Sequence, residues 1–536
     1  MPIFQSGTLN TTALVVPNLY VQIVPPQNLV LNGVPTNLLG VVGTASWGPI
    51  NQPVAVGTMA DYAQNFGPLV ARKYDMGTTV AIAVQQGATN FRCVRVTDGS
   101  DTAASYAVGL ANDTFAIMFT AVNTGSLGNQ LSLTLSQNSN TGAWQLVVAL
   151  PGLVPEVFSN ITGATSTLFW QTLANAVNQG IGALRGASQL VVATLPLIPN
   201  AVSPTAFGPQ LLAGGTDGAG TVSEAGTDTV TAATLVGQDG APRTGMYALR
   251  SQGCGIAVLS DTDDSTQWTT QAAFGLSEGV YMILTGPQGQ GQNISGAVAT
   301  MNAAGLDSYS AKLMLGDWVY WYDQVNALTR LVSPQGFVAG RLANLSPEQS
   351  SLNKPLYNVI GTQFSGTPGS SKVNTYSDAE LTQLFQSGID VIANPQPGGA
   401  YWGVRCGHNT SSNPATNGDN YTRLTNYIAA TLSAGMGQFV GQVINSTLFQ
   451  NIRSTILSFL QNLLSQGILG TADGSLPYSV ICEASNNPPS MTDLGFVQCN
   501  VQVQFQGINE KFIVNLEGGQ TVVIQQQTLP SSTLVN

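Results

Sequence analysis

The chain has 536 residues, with 16 Lys or Arg against 27 Asp or Glu, for a net charge of −11. Only 8% of residues are charged, where an average soluble protein carries about 25%. Yet 43% are hydrophobic, which supplies several cores and excludes disorder of the charge-rich, apolar-poor kind.

Gln, Asn, Ser, Thr and Gly take the place of the missing charge, with glycine alone at 59. A free monomer keeps a charged surface for solubility. An amide and hydroxyl surface therefore suits a protein packed against copies of itself, and a secreted protein with an uncharged coat is the alternative. The acidic balance, without any Lys/Arg cluster, argues against nucleic-acid binding. No apolar run reaches the roughly 18 residues of a membrane span, so no membrane insertion is expected. The opening MPIFQSGTLNTTALVVPN does not read as a signal peptide. Cys93, Cys254, Cys406, Cys482 and Cys499 are scattered without a CxxC and read as buried reduced thiols. Their odd number leaves pairing between subunits open for Cys406, Cys482 and Cys499.

In chain order, Leu19, Val21 and Ile23 alternate along an extended strand, flanked by Pro17, Pro25 and Pro26, with no obvious local partner. Residues 40–67 read as strand, Gly/Pro turn and short helix, followed by TTVAIAVQQG and NFRCVRV in alternating helix and strand. From about 105 to 205 short alternating strands take over. QLSLTLSQ and WQLVVAL flank NSNTGA as a hairpin. From 213 to 400 the strands GIAVLS, GVYMILTG and SGIDVIANP alternate with the helical WTTQAAFGLSE and ISGAVATMNAAG, which predicts a sheet covered by helices. Beyond 400, Leu448, Ile452, Ile456 and Leu460 recur every fourth residue in a helix ended by Gly467. YSVICEAS and VQVQFQG read as strands. Two further strand-like runs, with Phe512, Val514 and Leu516 on one and Val522 and Ile524 on the other, flank Gly518-Gly519. Strand-forming segments thus stand at both ends of the body, and unpaired strands are templates for another chain.

One enzymatic pattern appears. Gly275-Leu-Ser277-Glu-Gly279 fits G-x-S-x-G, and Asp390 and His408 follow in hydrolase order. That motif needs a strand before the serine and a helix after it, and here the order is reversed. His408, the only histidine, lies in the polar CGHNTSSNPATNGDN, read as a mobile loop. Asp261, Asp263 and Asp264 lack the spacing and closing Glu of a calcium loop, and read as caps of the next helix. TGPQGQGQN lacks both a G-x-G-x-x-G spacing and a P-loop lysine, and reads as a plain turn between strand and helix. No catalytic, cofactor or metal site is expected.

Taken together, four stretches resemble the contractile-tail sheath proteins of bacteriophages: GVVGTASWGPINQPVAVGTMADYAQNFG; NTGSLGNQLSLTLS; the run from LLAGGTDG through RTGMYAL to DWVYWYDQVNALTRLVSPQGFVAGRLANLSPEQSSLNKPLYN; and GIDVIANPQPGGAYWGVRC followed by NIRSTILSFLQNLLSQGILG. They cover most of positions 30–515 in the family's order. Ser333 stands where a proline is usual and Cys406 where a threonine is common. Basic residues after the WG element are reduced to Arg405 and Arg423, so contact with an inner tube is expected to be mostly polar and apolar.

The resemblance implies an α/β multidomain protein, divided as an N-terminal linking arm (1–28), the first part of the core (29–104), an inserted, outward-protruding β-rich module (105–212), a central subtilisin-like α/β sheet domain (213–400), an α+β C-terminal domain facing the tube (401–510) and a C-terminal linking arm (511–536). The fold label carries no activity with it. The implied function is structural: a helical homopolymer around a tail tube, contracting to drive the tube through a host envelope. The tail tube protein, baseplate and tail terminator would be its partners, and a virion assembled in the host cytoplasm its setting. A sheath of a phage-derived injection system and a serine hydrolase using Ser277 are the alternatives. Pro25, Pro26, Gly33 and Gly507 are candidate hinges beside the arms.

Overall fold

A computed structural model describes residues 3–6, 20–23, 31–109, 115–182, 185–197, 202–220, 230–372 and 375–516. The architecture is mixed α/β, with several sheets and cores. At its centre lies a seven-stranded sheet in the order Ile389–Asp390, Ala311–Met314, Tyr281–Thr285, Ile256–Leu259, Leu39–Gly43, Phe91–Arg95, Pro53–Val56. All neighbours are parallel except the last pair. A parallel sheet is covered on both faces, so its strands read as unbroken apolar runs. Ile256, Val258, Tyr281 and Ile283 pack into the core on one face, and Ala257, Leu259, Met282 and Leu284 into the core on the other. The reversed order around Ser277 holds: helix Trp268–Glu278 precedes strand Tyr281–Thr285.

On one face, helices Met76–Gln85 and Gln335–Asn344 touch backbone to backbone. A Cβ on Gly340 would lie 2.5 Å from Ala83 Cα, so only glycine permits this approach.

Residues 104–212 carry their own core, built around Phe119, Leu133, Leu146, Phe158, Phe169 and Leu173. The expected hairpin forms between Ser132–Gln137 and Trp144–Ala149, inside a four-stranded sheet beside a three-stranded one. The reading of this region as strands alone missed helix Ser166–Gln179, which starts at a Thr165 cap and buries Phe169, Trp170, Leu173 and Val177. That spacing is the helical period.

Three stretches that carry the sequence resemblance form the junction of this region with the central sheet. Gly125, at φ +130°, lets the chain pass so close that a Cβ would sit 2.1 Å from Ser46 O. Ser126 N donates to Asp217 Oδ1 at 2.6 Å, and Asn129 exchanges two hydrogen bonds with the backbone of Gly215. Buried Arg95 donates to the carbonyls of Gly48, Thr124 and Asp217, and Arg72 pairs with Asp217 at 2.6 Å.

A fourth core gathers Leu31, Ile428, helix Ser446–Ser465 and the two-stranded antiparallel sheet of Tyr478–Ile481 with Asn500–Val503. The predicted face of Leu448, Ile452, Ile456 and Leu460 is buried as expected.

Candidate functional site

For a protein expected to assemble, the ends of the chain and whatever anchors them are the candidate site. Strand Tyr20–Ile23 carries Val21 and Ile23, and Leu19 lies outside the described residues. The expectation that this strand lacks a local partner is corrected. Ile3–Ser6 pairs with it in parallel, Ile3 opposite Tyr20 and Ser6 opposite Ile23. IFQS is too short a run to announce itself as a strand. Among the described residues the ladder has only these two members, and no other described strand pairs with either outer edge.

At the other end, Phe512, Val514 and Leu516 are 82%, 68% and 90% exposed. The backbone over 504–516 belongs to no strand, so the strand expected at 512–516 is absent among the described residues. Strand pairing needs a partner edge, and none of the described strands pairs with this run. Val522 and Ile524 lie outside the described residues, as do Pro25, Pro26 and Gly518-Gly519.

Both ends lead back to one helix, Asp419–Met436. The N-terminal segment lies along its second half. Val34 N donates to Thr431 Oγ1 at 3.2 Å, and Leu31 packs so close that a Cβ on Gly435 would lie 1.8 Å from its Cδ2. Gly33 faces Tyr427, whose ring would crowd any Cβ there, so close packing rather than hinge freedom accounts for this glycine. The C-terminal segment is held at the helix start, where Asn420 Nδ2 donates to Gln506 O at 3.0 Å. Gly507 has open space around it and remains compatible with a hinge. Farther on, Glu510 Oε1 lies 2.7 Å from His408 Nε2. His408 is also tied through its backbone, by a bridge to Gly418 and a carbonyl accepting from Lys312, so it is anchored and not mobile as the sequence suggested.

The helix is plugged into the central sheet by charge. Lys312, wholly buried on strand Ala311–Met314, donates to Asp390 at 2.7 Å and to Asp419 at 3.2 Å. Asp390 further accepts from the amides of Val391, Cys406 and Gly407, which is why the GID and WGVRC stretches meet. Asp419 takes the Tyr281 hydroxyl at 2.6 Å and both the amide and hydroxyl of Ser351. Burial alone would raise the Asp419 carboxyl, but Lys312 and these hydrogen bonds hold it at about 2. One turn on, Arg423 is buried and donates to the carbonyls of Leu345, Ser346 and Gln349. Desolvation lowers it to about 10, and it is a strut inside the protein.

The hydrolase residues are not brought together. Ser277 Oγ donates to Phe274 O within its own helix and lines a cleft of about 660 Å³ that neither Asp390 nor His408 borders. Asp390 is committed to Lys312. Asp264 caps the turn before helix Trp268–Glu278 as expected, and Asp263 pairs with Lys73 at 3.0 Å. Among the described residues no group of His, Cys, Asp or Glu is arranged to hold a metal, and no helix is long and apolar enough to cross a membrane. Cys406, Cys482 and Cys499, offered as links between subunits, are half-buried, buried and half-buried free thiols. Cys482 and Cys499 are each other's neighbours within the chain.

No protein-family model matches the sequence, and a search of curated proteins finds no relative. Solved structures do match. A sheath tail protein from Listeria innocua aligns at a TM-score of 0.58 and 14% identity, over 85% of this chain and 90% of that one. A sheath tail protein from Desulfitobacterium hafniense gives 0.55 and 15%, over 86% and 93%. The contracted sheath of the anti-feeding prophage, a helical assembly, gives 0.53 and 11%, over 94% and 99%.

Proposed function

From a fold shared along nearly its whole length with solved sheath proteins, we propose that this chain is the structural subunit of a contractile sheath. The observation that carries the reading is the span of that likeness, 85–94% of the chain, so the sheet, the 104–212 region and the C-terminal part are all included. The low charge content, the two-stranded ladder of residues 3–6 and 20–23 and the exposed apolar run at 512–516 agree with it.

In this reading the subunits polymerise helically around a tube, bound below by a baseplate and above by a terminator. Residues 1–28 and 511–536 act as arms that add strands to neighbouring subunits. Main-chain pairing accepts varied, uncharged side chains, which suits both segments. Residues 401–510 face the tube, 213–400 with 29–104 form the wall, and 105–212 protrude. Contraction is then a rigid-body rearrangement of whole subunits that stay linked by their arms. The sheath acts in a phage tail assembled in a host cytoplasm. The likeness to the sheath of an extracellular contractile injection system, at a TM-score of 0.53 and 11% identity, supports an injection machine as the second setting. No catalytic step is assigned.

Negative-stain electron microscopy of the purified chain, alone and with a candidate tube protein, tests this. Hollow striated tubes are expected in at least one condition. Deleting residues 1–24 should leave a folded subunit that forms none, and normal tubes from that truncation would refute the arm role.

A further inference from the structure

We propose that Cys482 and Cys499 are an intrachain dithiol that closes to a cross-strand disulfide, pinning the tip of the C-terminal two-stranded sheet. The register of that sheet places them. Tyr478 stands opposite Val503, Val480 opposite Val501 and Ile481 opposite Asn500, so one further step sets Cys482 opposite Cys499. The hydrogen-bond phase adds a second condition. Gln504 N donates to Pro477 O at 2.7 Å, which marks that pair as hydrogen-bonded. Antiparallel pairs alternate, so 478/503, 480/501 and 482/499 are the non-hydrogen-bonded ones. In such pairs the Cα atoms approach to about 4.5 Å, inside the roughly 4.4–6.8 Å that a disulfide spans.

The side chains agree with the backbone. Cys482 shares the buried face of its strand with Tyr478 and Val480, Cys499 continues the face of Val501 and Val503, and the two thiols lie close enough to influence each other's ionisation. Cys482 is sealed at 2% exposure, whereas Cys499 is half-buried and is the sulfur an oxidant reaches first. Burial pushes both thiols up, Cys499 to about 12, so closure is slow near neutral pH and the pair stays reduced in a reducing medium.

With a small-molecule disulfide as oxidant, the Cys499 thiolate attacks one oxidant sulfur, forming a mixed disulfide and expelling one small thiol. The Cys482 thiolate then attacks Cys499 Sγ and expels the second. Both cysteine protons end on the two small thiols, and the oxidant takes up the two electrons. The new bond would close a ring through residues 483–498. That loop is already tied by Asn486 and Asn487, whose side-chain amides reach Ile481 O and Gln498 O, and it displays Leu494 and Phe496 at 73% and 60% exposure.

The test is peptide mapping of the full chain after incubation with oxidised glutathione at pH 8.5, acid quench and alkylation, without reduction. A linked peptide joining Cys482 to Cys499 is expected, with the protein still monomeric on a non-reducing gel. In Cys482→Ser, which keeps the reachable sulfur, Cys499 should instead hold glutathione as a stable adduct. After the glutathione treatment of the unmutated chain, two alkylated thiols, a lasting Cys499 adduct beside a free Cys482, or a link between chains would each overturn the proposal.

Discussion

Lys312 and Asp390 meet at 2.7 Å with side chains 0% and 2% exposed, and the Asp419 carboxylate completes the site at 3.2 Å. One cation thus offsets two buried carboxylates, one on a strand of the central sheet and the other at the first residue of the helix that receives both chain ends. Removing one partner of a buried ion group leaves uncompensated charge, which costs about 3–5 kcal/mol.

Lys312→Met should therefore destabilise the protein by about that amount. Hydrogen exchange is the discriminating measurement, because a chain with several cores does not unfold in one step. Amides of 419–436 should lose protection far more than those of 132–149. Equal loss in both regions would mean the lysine supports the whole fold and not this joint.

Two carboxyls give stability opposite pH dependences. Asp419 is held at about 2 in the folded state, below its unfolded value, so its contribution is present above pH 4 and lost as pH falls toward 2. Asp75 is raised to about 6, because burial outweighs an Arg72 whose close contact is with Asp217. The folded state thus holds the Asp75 proton more tightly, and stability declines as pH rises from about 4 to 6, then levels. Each shift of about two pKa units corresponds to about 2–3 kcal/mol. Urea unfolding at pH 4 and 6.5 should show the decline, and Asp75→Asn, which keeps the helix cap, should remove it.

Arg95→Ala should free the 104–212 region from the sheet it leans on. Three carbonyls lose their buried donor, at about 1–3 kcal/mol for each unsatisfied group. Limited proteolysis should then cut several-fold faster at 97–103 or 213–218, releasing a fragment of about that module. An unchanged cleavage pattern would show that Gly125 and Asn129 suffice to hold the joint.

Replacing Phe512, Val514 and Leu516 together with serine should leave thermal stability within about 1 kcal/mol, since exposed residues contribute little to the fold. Tube formation under the microscope should nonetheless be lost. A fall in melting temperature of many degrees would instead mean that these residues pack within their own chain.

The elements that sequence revealed are those with strong local period. Helix Ser446–Ser465, strand Tyr281–Thr285 and the 132–149 hairpin follow directly from spacing. Helix Ser166–Gln179 was passed over because its polar positions blend with a β-rich neighbourhood, although Thr165 and the Phe169–Leu173–Val177 series mark it. The charged joint was not legible at all. Its members lie 78 and 107 residues apart, and the first turns of helix Asp419–Met436 bury Asp419, Asn420, Thr422 and Arg423, polar residues that a hydrophobic pattern assigns to solvent. The short strand Ile3–Ser6 was hidden for the opposite reason, being too brief to carry a period.

In a polymer linked through its ends, as proposed above, the meeting of both end segments on helix Asp419–Met436 would set the route for mechanical load. Asn420 and Thr431 are about 16 Å apart at 1.5 Å per residue, so a pull entering at residue 34 and leaving at residue 506 crosses only a short rigid rod. The Lys312 joint couples that rod to the central sheet, while the 104–212 region hangs outside the line of tension. In such a polymer, changes in that region, including its replacement, would leave the tensile path untouched.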